Sequence, residues 1–157
     1  MAGRIRIALI FLALLACVAA RARGARAAHT RVSHATAVAH EQARVVRYAR
    51  RLLGVRYSYG GTSPRSGFDC SGFTRFVYAH FGLTLPHYSA AQYALGRRVS
   101  RLGLRPGDLL FFDGLQHVGL YIGGGRFIHA PHSGTRVSIS PLDGWYSVEY
   151  DGARRLI

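Results

Sequence analysis

The segment "GGTSPRSGFDCSGFTRFVYAHFG", Gly60 to Gly82, holds Cys70, the only cysteine after position 17. Glycine, serine and proline fill the approach to it. Beyond it Phe73, Phe76, Val77, His80 and Phe81 recur at helical spacing until Gly82. That pattern predicts a helix starting near Cys70, with Asp69 as a candidate cap and Gly82 as the stop. A cysteine in the first turn of a helix meets unpaired backbone N–H groups and the positive end of the helix dipole. Both favour thiolate, so the expectation is a thiol pKa lowered from about 8.5 toward roughly 3.5–7.5. The same N–H groups can hold an oxyanion.

Upstream, Val45, Val46, Ala49, Leu52 and Leu53 predict an amphipathic helix from Glu41 to a stop at Gly54. Gly60, Gly61, Pro64 and Gly67 mark a loop. Downstream, Ser89 to Leu95 reads as a short third helix, and Pro106-Gly107 as a turn into the strand "DLLFF". His117–Ile122 and Arg126–Ala130 read as strands, and the glycines between them signal a hairpin. Val137 and Ile139 alternate in another strand, and Trp145 to Ile157 carries a last strand pattern. Helices first and strands later predict an α+β fold with a mostly antiparallel sheet.

The chain has 157 residues, 49% apolar and 18% charged, which suits one globular domain. The net charge is +14, and every basic residue is arginine, spread from Arg4 to Arg155. No aromatic-rich nucleic-acid motif interleaves with them, so no nucleic-acid partner is expected. A solvated basic face fits, with an anionic envelope surface as a further partner. "MAGRIR" followed by the apolar run Ile7–Ala20 has the form of a secretory signal, too short for a spanning helix of about 20 residues. Residues 1–20 are therefore read as a signal peptide, 21–40 as an Arg/Ala-rich tether and 41–157 as the domain. "LLAC" resembles a bacterial lipobox, which would place a lipid anchor on Cys17. Cleavage after Ala20, or as late as Ala28, is the alternative. Either route exports the chain to an oxidising compartment, where Cys70 has no partner for an internal disulfide. A reactive thiol or a buried spectator remains.

A nucleophilic thiol needs a base. His29, His34 and His40 fall in the tether, His80 on the apolar side of the Cys70 helix, and His87 in a loop after Pro86. His117, His129 and His132 remain. If the two strands pair, His117 and His129 can approach on one face, giving a nucleophile, a base and an orienting group. Cys70, His117 and His129 could also ligate zinc, but structural zinc takes four ligands in close pairs, and none occurs here. No metal or cofactor is expected.

At these residues the chain resembles the NlpC family of bacterial cell-wall cysteine peptidases. The pieces "YSYGG" (Tyr57–Gly61), "GFDCSGF" (Gly67–Phe73), "LPHYSAAQ" (Leu85–Gln92), "RPGDLLFF" (Arg105–Phe112), "HVGLYIG" (His117–Gly123) and "FIHAP" (Phe127–Pro131) stand in the family order, across Ala43 to Ile157. The resemblance implies a papain-like fold, with the nucleophile helix packed on an antiparallel sheet. It implies hydrolysis of peptide bonds in the stem peptides or cross-links of peptidoglycan, and a monomer is expected. By the same resemblance Cys70 is the nucleophile, His117 the base and His129 the orienting residue. Tyr57 joins the Cys70 N–H in the oxyanion hole, and Asp69 and Ser71 bind substrate. Capping by Asp69 and packing by Tyr57 are the alternatives. An amidase that cuts between glycan and peptide, and a non-catalytic wall-binding protein, are rival readings. One departure stands out: the family often carries arginine where "LPHYS" has His87. Export places the protein in the periplasm or, as a lipoprotein, on a membrane of the envelope.

Overall fold

The computed structural model describes residues 35–157. The segment read as a signal peptide, Cys17 and most of the segment read as a tether lie outside the described residues. The main compact unit runs from His40 to Ile157. The first helix of the described residues, α1, spans residues 35–50 and includes 35–40, read from the sequence as tether. "ATAVAH" there is alanine-rich and continues the helix backward. Val45, Val46, Ala49 and Leu52 of this segment are buried, as their spacing predicts.

After α1 the chain forms a two-residue hairpin, β1 (Thr62–Ser63) and β2 (Gly67–Phe68), then α2 (Cys70–Ala79) and α3 (Ser89–Tyr93). Six further strands follow: β3 (Arg97–Val99), β4 (Leu109–Phe112), β5 (His117–Gly123), β6 (Arg126–His129), β7 (Ser138–Pro141) and β8 (Tyr150–Arg155). They form one antiparallel sheet in the order β3-β8-β4-β5-β6-β7. A short helix, α4 (Gly144–Val148), precedes β8. The fold is α+β, with the Cys70 helix packed on β5 and β6.

Both faces of the sheet centre are covered. Leu109 and Phe111 of β4 point to the helices, joining Phe73, Val77, Val118, Leu120 and Ile128. Leu110 and Phe112 point the other way, to Phe127 and Ala153, with Tyr146 and Tyr150 packed against them. This two-sided burial explains why "LLFF" is an unbroken apolar run.

Three local readings change. Residues 145–148, read as strand, belong to the helix Gly144–Val148: Gly144 has φ +47°, which ends the extended chain. The turn lays Tyr146 on Phe112 and Phe127, at centroid distances of 5.3 and 4.9 Å. β3 pairs with β8 at the sheet edge; its "RRV" carries two arginines, which hides the strand pattern. His80 is exposed at the end of α2, where its ring stacks on Tyr48 at 3.8 Å.

One buried ion pair ties the turn before β4 to the last strand. Arg155 Nε donates to Asp108 Oδ1 at 2.6 Å and its NH2 group to Oδ2 at 2.7 Å. The Arg105 N–H also donates to Oδ2, at 2.7 Å. Beside it the Tyr78 hydroxyl donates to the Gly107 carbonyl, anchoring α2 to the same turn.

Candidate active site

Asp69 fixes the start of α2. Its Oδ1 accepts from the Gly72 N–H at 2.7 Å, the expected cap. Oδ2 accepts from the Gly60 N–H at 2.9 Å, so the same carboxylate holds the glycine loop. The Ser71 hydroxyl donates to Oδ1 at 3.1 Å. The loop also approaches from behind: a Cβ at Gly72 would lie 2.0 Å from the Gly61 carbonyl oxygen. Only glycine lets loop and helix touch there. Gln92, fully buried, locks the next segment: its Nε2 donates to Ser71 and Pro86 carbonyls at 3.0 and 2.8 Å.

Cys70 thus begins α2, directed at the start of β5. Its thiol donates to the Gln116 carbonyl at 3.8 Å. Burial pushes the thiol pKa up, against backbone N–H groups of Val118, Ser71 and Cys70 that pull it down. The direction is opposite to the expectation from the helix start, because desolvation outweighs the N–H groups.

His117 opens β5 and His129 closes β6, and pairing of those strands brings the rings together. His117 Nε2 and His129 Nδ1 are 2.8 Å apart. Burial lowers the pKa of His117 to about 4 and of His129 to about 3, with neighbouring histidines adding to both shifts. Both rings are therefore neutral at pH 7, and one donates to the other. His129 Nε2 lies 2.9 Å from Ser140 Oγ on β7. Tyr146 of α4 covers the pair, its ring 5.3 Å edge-on from His129.

Cys70, Tyr57 and Gln116 stand between two hollows. One, about 730 Å³, is lined also by Asp69, Ser71, His87 and Tyr88. The other, about 320 Å³, is lined also by His117, His132, Trp145 and Tyr146. Tyr57 has its pKa raised, chiefly by burial, so its hydroxyl keeps its proton and can donate. His87 joins Asp69 across the larger hollow, its Nε2 2.8 Å from Oδ2. His132 bonds within its own turn, to the Ser133 carbonyl at 2.9 Å. Among the described residues no group of three or more His, Cys, Asp or Glu side chains could hold a metal ion.

The sequence reading did not single out Ser140, Tyr146, Trp145 or Gln116. Ser140 sits in "RVSISPL", whose alternation showed a strand but not which neighbour its hydroxyl meets. Trp145 and Tyr146 were absorbed into a strand pattern.

The signature of the NlpC/P60 family matches residues 54–155. The chain is 45% identical over 104 residues to the probable endopeptidase p60 of Listeria seeligeri, covering 64% of this chain and 20% of that protein. It is 40% identical over 119 residues to the gamma-DL-glutamyl hydrolase of Bacillus subtilis, covering 71% of this chain and 28% of that one. The solved structure of the peptidoglycan hydrolase RipB from Mycobacterium tuberculosis superposes with a TM-score of 0.68 at 34% identity, over 77% of this chain and 67% of that one. The chain thus spans only a fifth to about a quarter of the curated relatives' length.

Proposed function

Because the chain belongs to the NlpC/P60 family, we propose that it is a thiol hydrolase cutting peptide bonds in the stem peptides or cross-links of peptidoglycan. The observation that carries this reading is Cys70 at the first turn of α2, lining one hollow with a neutral His117 that lies 2.8 Å from His129. The names of the relatives, an endopeptidase, a glutamyl hydrolase and a peptidoglycan hydrolase, support the same chemistry.

The reaction is a two-step acyl transfer. Substrate lies across the two hollows with its scissile carbonyl at Cys70. His117 takes the thiol proton as sulfur attacks, so the resting pair is thiol and imidazole rather than an ion pair. The tetrahedral oxyanion accepts from the Cys70 N–H and the Tyr57 hydroxyl. His117 returns its proton to the leaving amine, and the C–N bond breaks. Water then adds to the thioester with His117 as base, and the free carboxylate and thiol are restored. His129 orients His117 throughout. Asp69 and Ser71 shape the larger hollow, where the acyl part binds. No metal or organic cofactor takes part.

Residues 1–20 act as the export signal, and the domain works on the envelope, either free or held there by lipid on Cys17. The arginines favour an anionic envelope surface. Digestion of defined peptidoglycan fragments, read by product mass, tests the reading. Cleavage within the peptide is the expected result. Release of intact stem peptides would instead assign an amidase, and no product under conditions where the protein is folded would favour a wall-binding role.

A further inference from the structure

His129 is fully buried, so both ring nitrogens need partners inside the protein. They have them: His117 Nε2 at 2.8 Å and Ser140 Oγ at 2.9 Å. The register explains the second contact. Phe127 pairs with Ser140 across β6 and β7, which puts Ser140 diagonal to His129 on the same face of the sheet.

A neutral imidazole has one donor nitrogen and one acceptor. The row Ser140–His129–His117 therefore has two proton arrangements. In the first, His129 Nε2–H donates to Ser140, and His129 Nδ1 accepts from His117 Nε2–H. His117 Nδ1 then keeps a free lone pair. In the second, Ser140 donates to His129 Nε2, and His129 Nδ1–H donates to His117 Nε2. His117 then carries its proton on Nδ1 and has no lone pair to accept another. Only the first arrangement leaves His117 a base.

Ser140 has a single proton to give. Its Oγ can donate that proton to His129 Nε2 or accept from it across the 2.9 Å contact. Accepting is the arrangement that leaves His117 a base. We propose that Ser140 is a positioning residue that accepts from His129 Nε2–H, holds that tautomer and so keeps Nδ1 of His117 unprotonated. This rests on the reading of Cys70 and His117 as the reacting pair, but the tautomer itself can be read without any substrate.

The test is nitrogen-15 NMR of the histidine rings in the whole domain at pH 7. The expected wild-type spectrum shows Nε2 protonated on both His117 and His129. A proton on Nδ1 of His117 would overturn the proposal, whatever the activity. In Ser140→Ala the expected result is a mixed His129 tautomer. Activity on a peptidoglycan fragment should fall about 10- to 100-fold in kcat, part of the 10²–10⁴ that a positioned base contributes. KM should stay within about twofold, and Ser140→Thr should restore both spectrum and rate. Wild-type ring shifts in Ser140→Ala would also overturn it. If the wild type shows the expected tautomers but cuts no fragment, the proposed function fails and the tautomer assignment stands.

Discussion

His87 Nε2 lies 2.9 Å from Oδ1 and 2.8 Å from Oδ2 of Asp69, the residue that caps the Cys70 helix. One imidazole therefore faces both oxygens of a carboxylate that already accepts from Gly60, Ser71 and Gly72. The backbone contacts hold the helix start, while His87 contributes a hydrogen bond and shape on the cleft side. His87→Ala should leave the fold and kcat within about threefold of wild type and raise KM, the signature of lost binding rather than lost chemistry. His87→Arg, able to pair with both oxygens, should keep KM near wild type. Steady-state kinetics on one peptidoglycan fragment separates the two variants.

With His117 as the base of the proposed reaction, its burial sets the acid limit of that activity. Its pKa is lowered to about 4, well below the usual 6.5. Protonation removes the base, so kcat/KM should fall as pH drops through about 4 and stay flat from there up to neutrality. An acid limb centred near 6.5 would mean that the ring is not desolvated as described. A pH series on a small soluble fragment measures this.

The same shifts act on stability. His117 and His129 bind protons near 6.5 when unfolded but only near 4 and 3 when folded. Between those values the unfolded state holds more protons, so acidification favours unfolding. The stabilisation is complete above pH 6.5 and is lost as pH falls toward 3. Melting temperatures should decline across that window, and His129→Gln should flatten the decline.

Asp108 is fully buried and Arg155 nearly so, and their paired hydrogen bonds join the turn before β4 to β8. Removing one partner strands a buried charge, which costs about 3–5 kcal/mol. Arg155→Ala should lower the urea midpoint accordingly. Asp108 and Arg155 do not line either hollow at Cys70, so any folded fraction should keep its KM.

Much of this architecture was legible in the residues themselves. The helix at Cys70 and the hairpin of β5 and β6 followed from periodicity and from the glycines that end each run. Because strand pairing was legible, so was the meeting of His117 with His129. The direction of the thiol shift was not, since it turns on how deeply Cys70 is desolvated, and that depends on the packed sheet rather than on its helix position. Ser140 was hidden for a related reason: its role comes from a diagonal neighbour across β6 and β7, and register is not written in either strand alone. Trp145 and Tyr146 have strand propensity, yet Gly144 turns them into a helix that covers the imidazoles.

Gly72 offers a test of how closely loop and helix must fit. An added methyl would meet the Gly61 carbonyl at 2.0 Å, and backbone there cannot move without shifting Asp69. Gly72→Ala should cost about 1–3 kcal/mol of stability through overpacking. It should also reduce kcat, because the Cys70 N–H moves with the helix start.

In the proposed reaction the Cys70 thiol forms the bond to the acyl group. The direct measurement is the rate at which Cys70→Ala cleaves a defined peptidoglycan fragment, followed by product mass, beside wild-type protein of equal thermal stability. Cleavage by the wild type and none by the variant, with the fragment still bound, is the expected result. Cleavage by Cys70→Ala at the wild-type rate would contradict it.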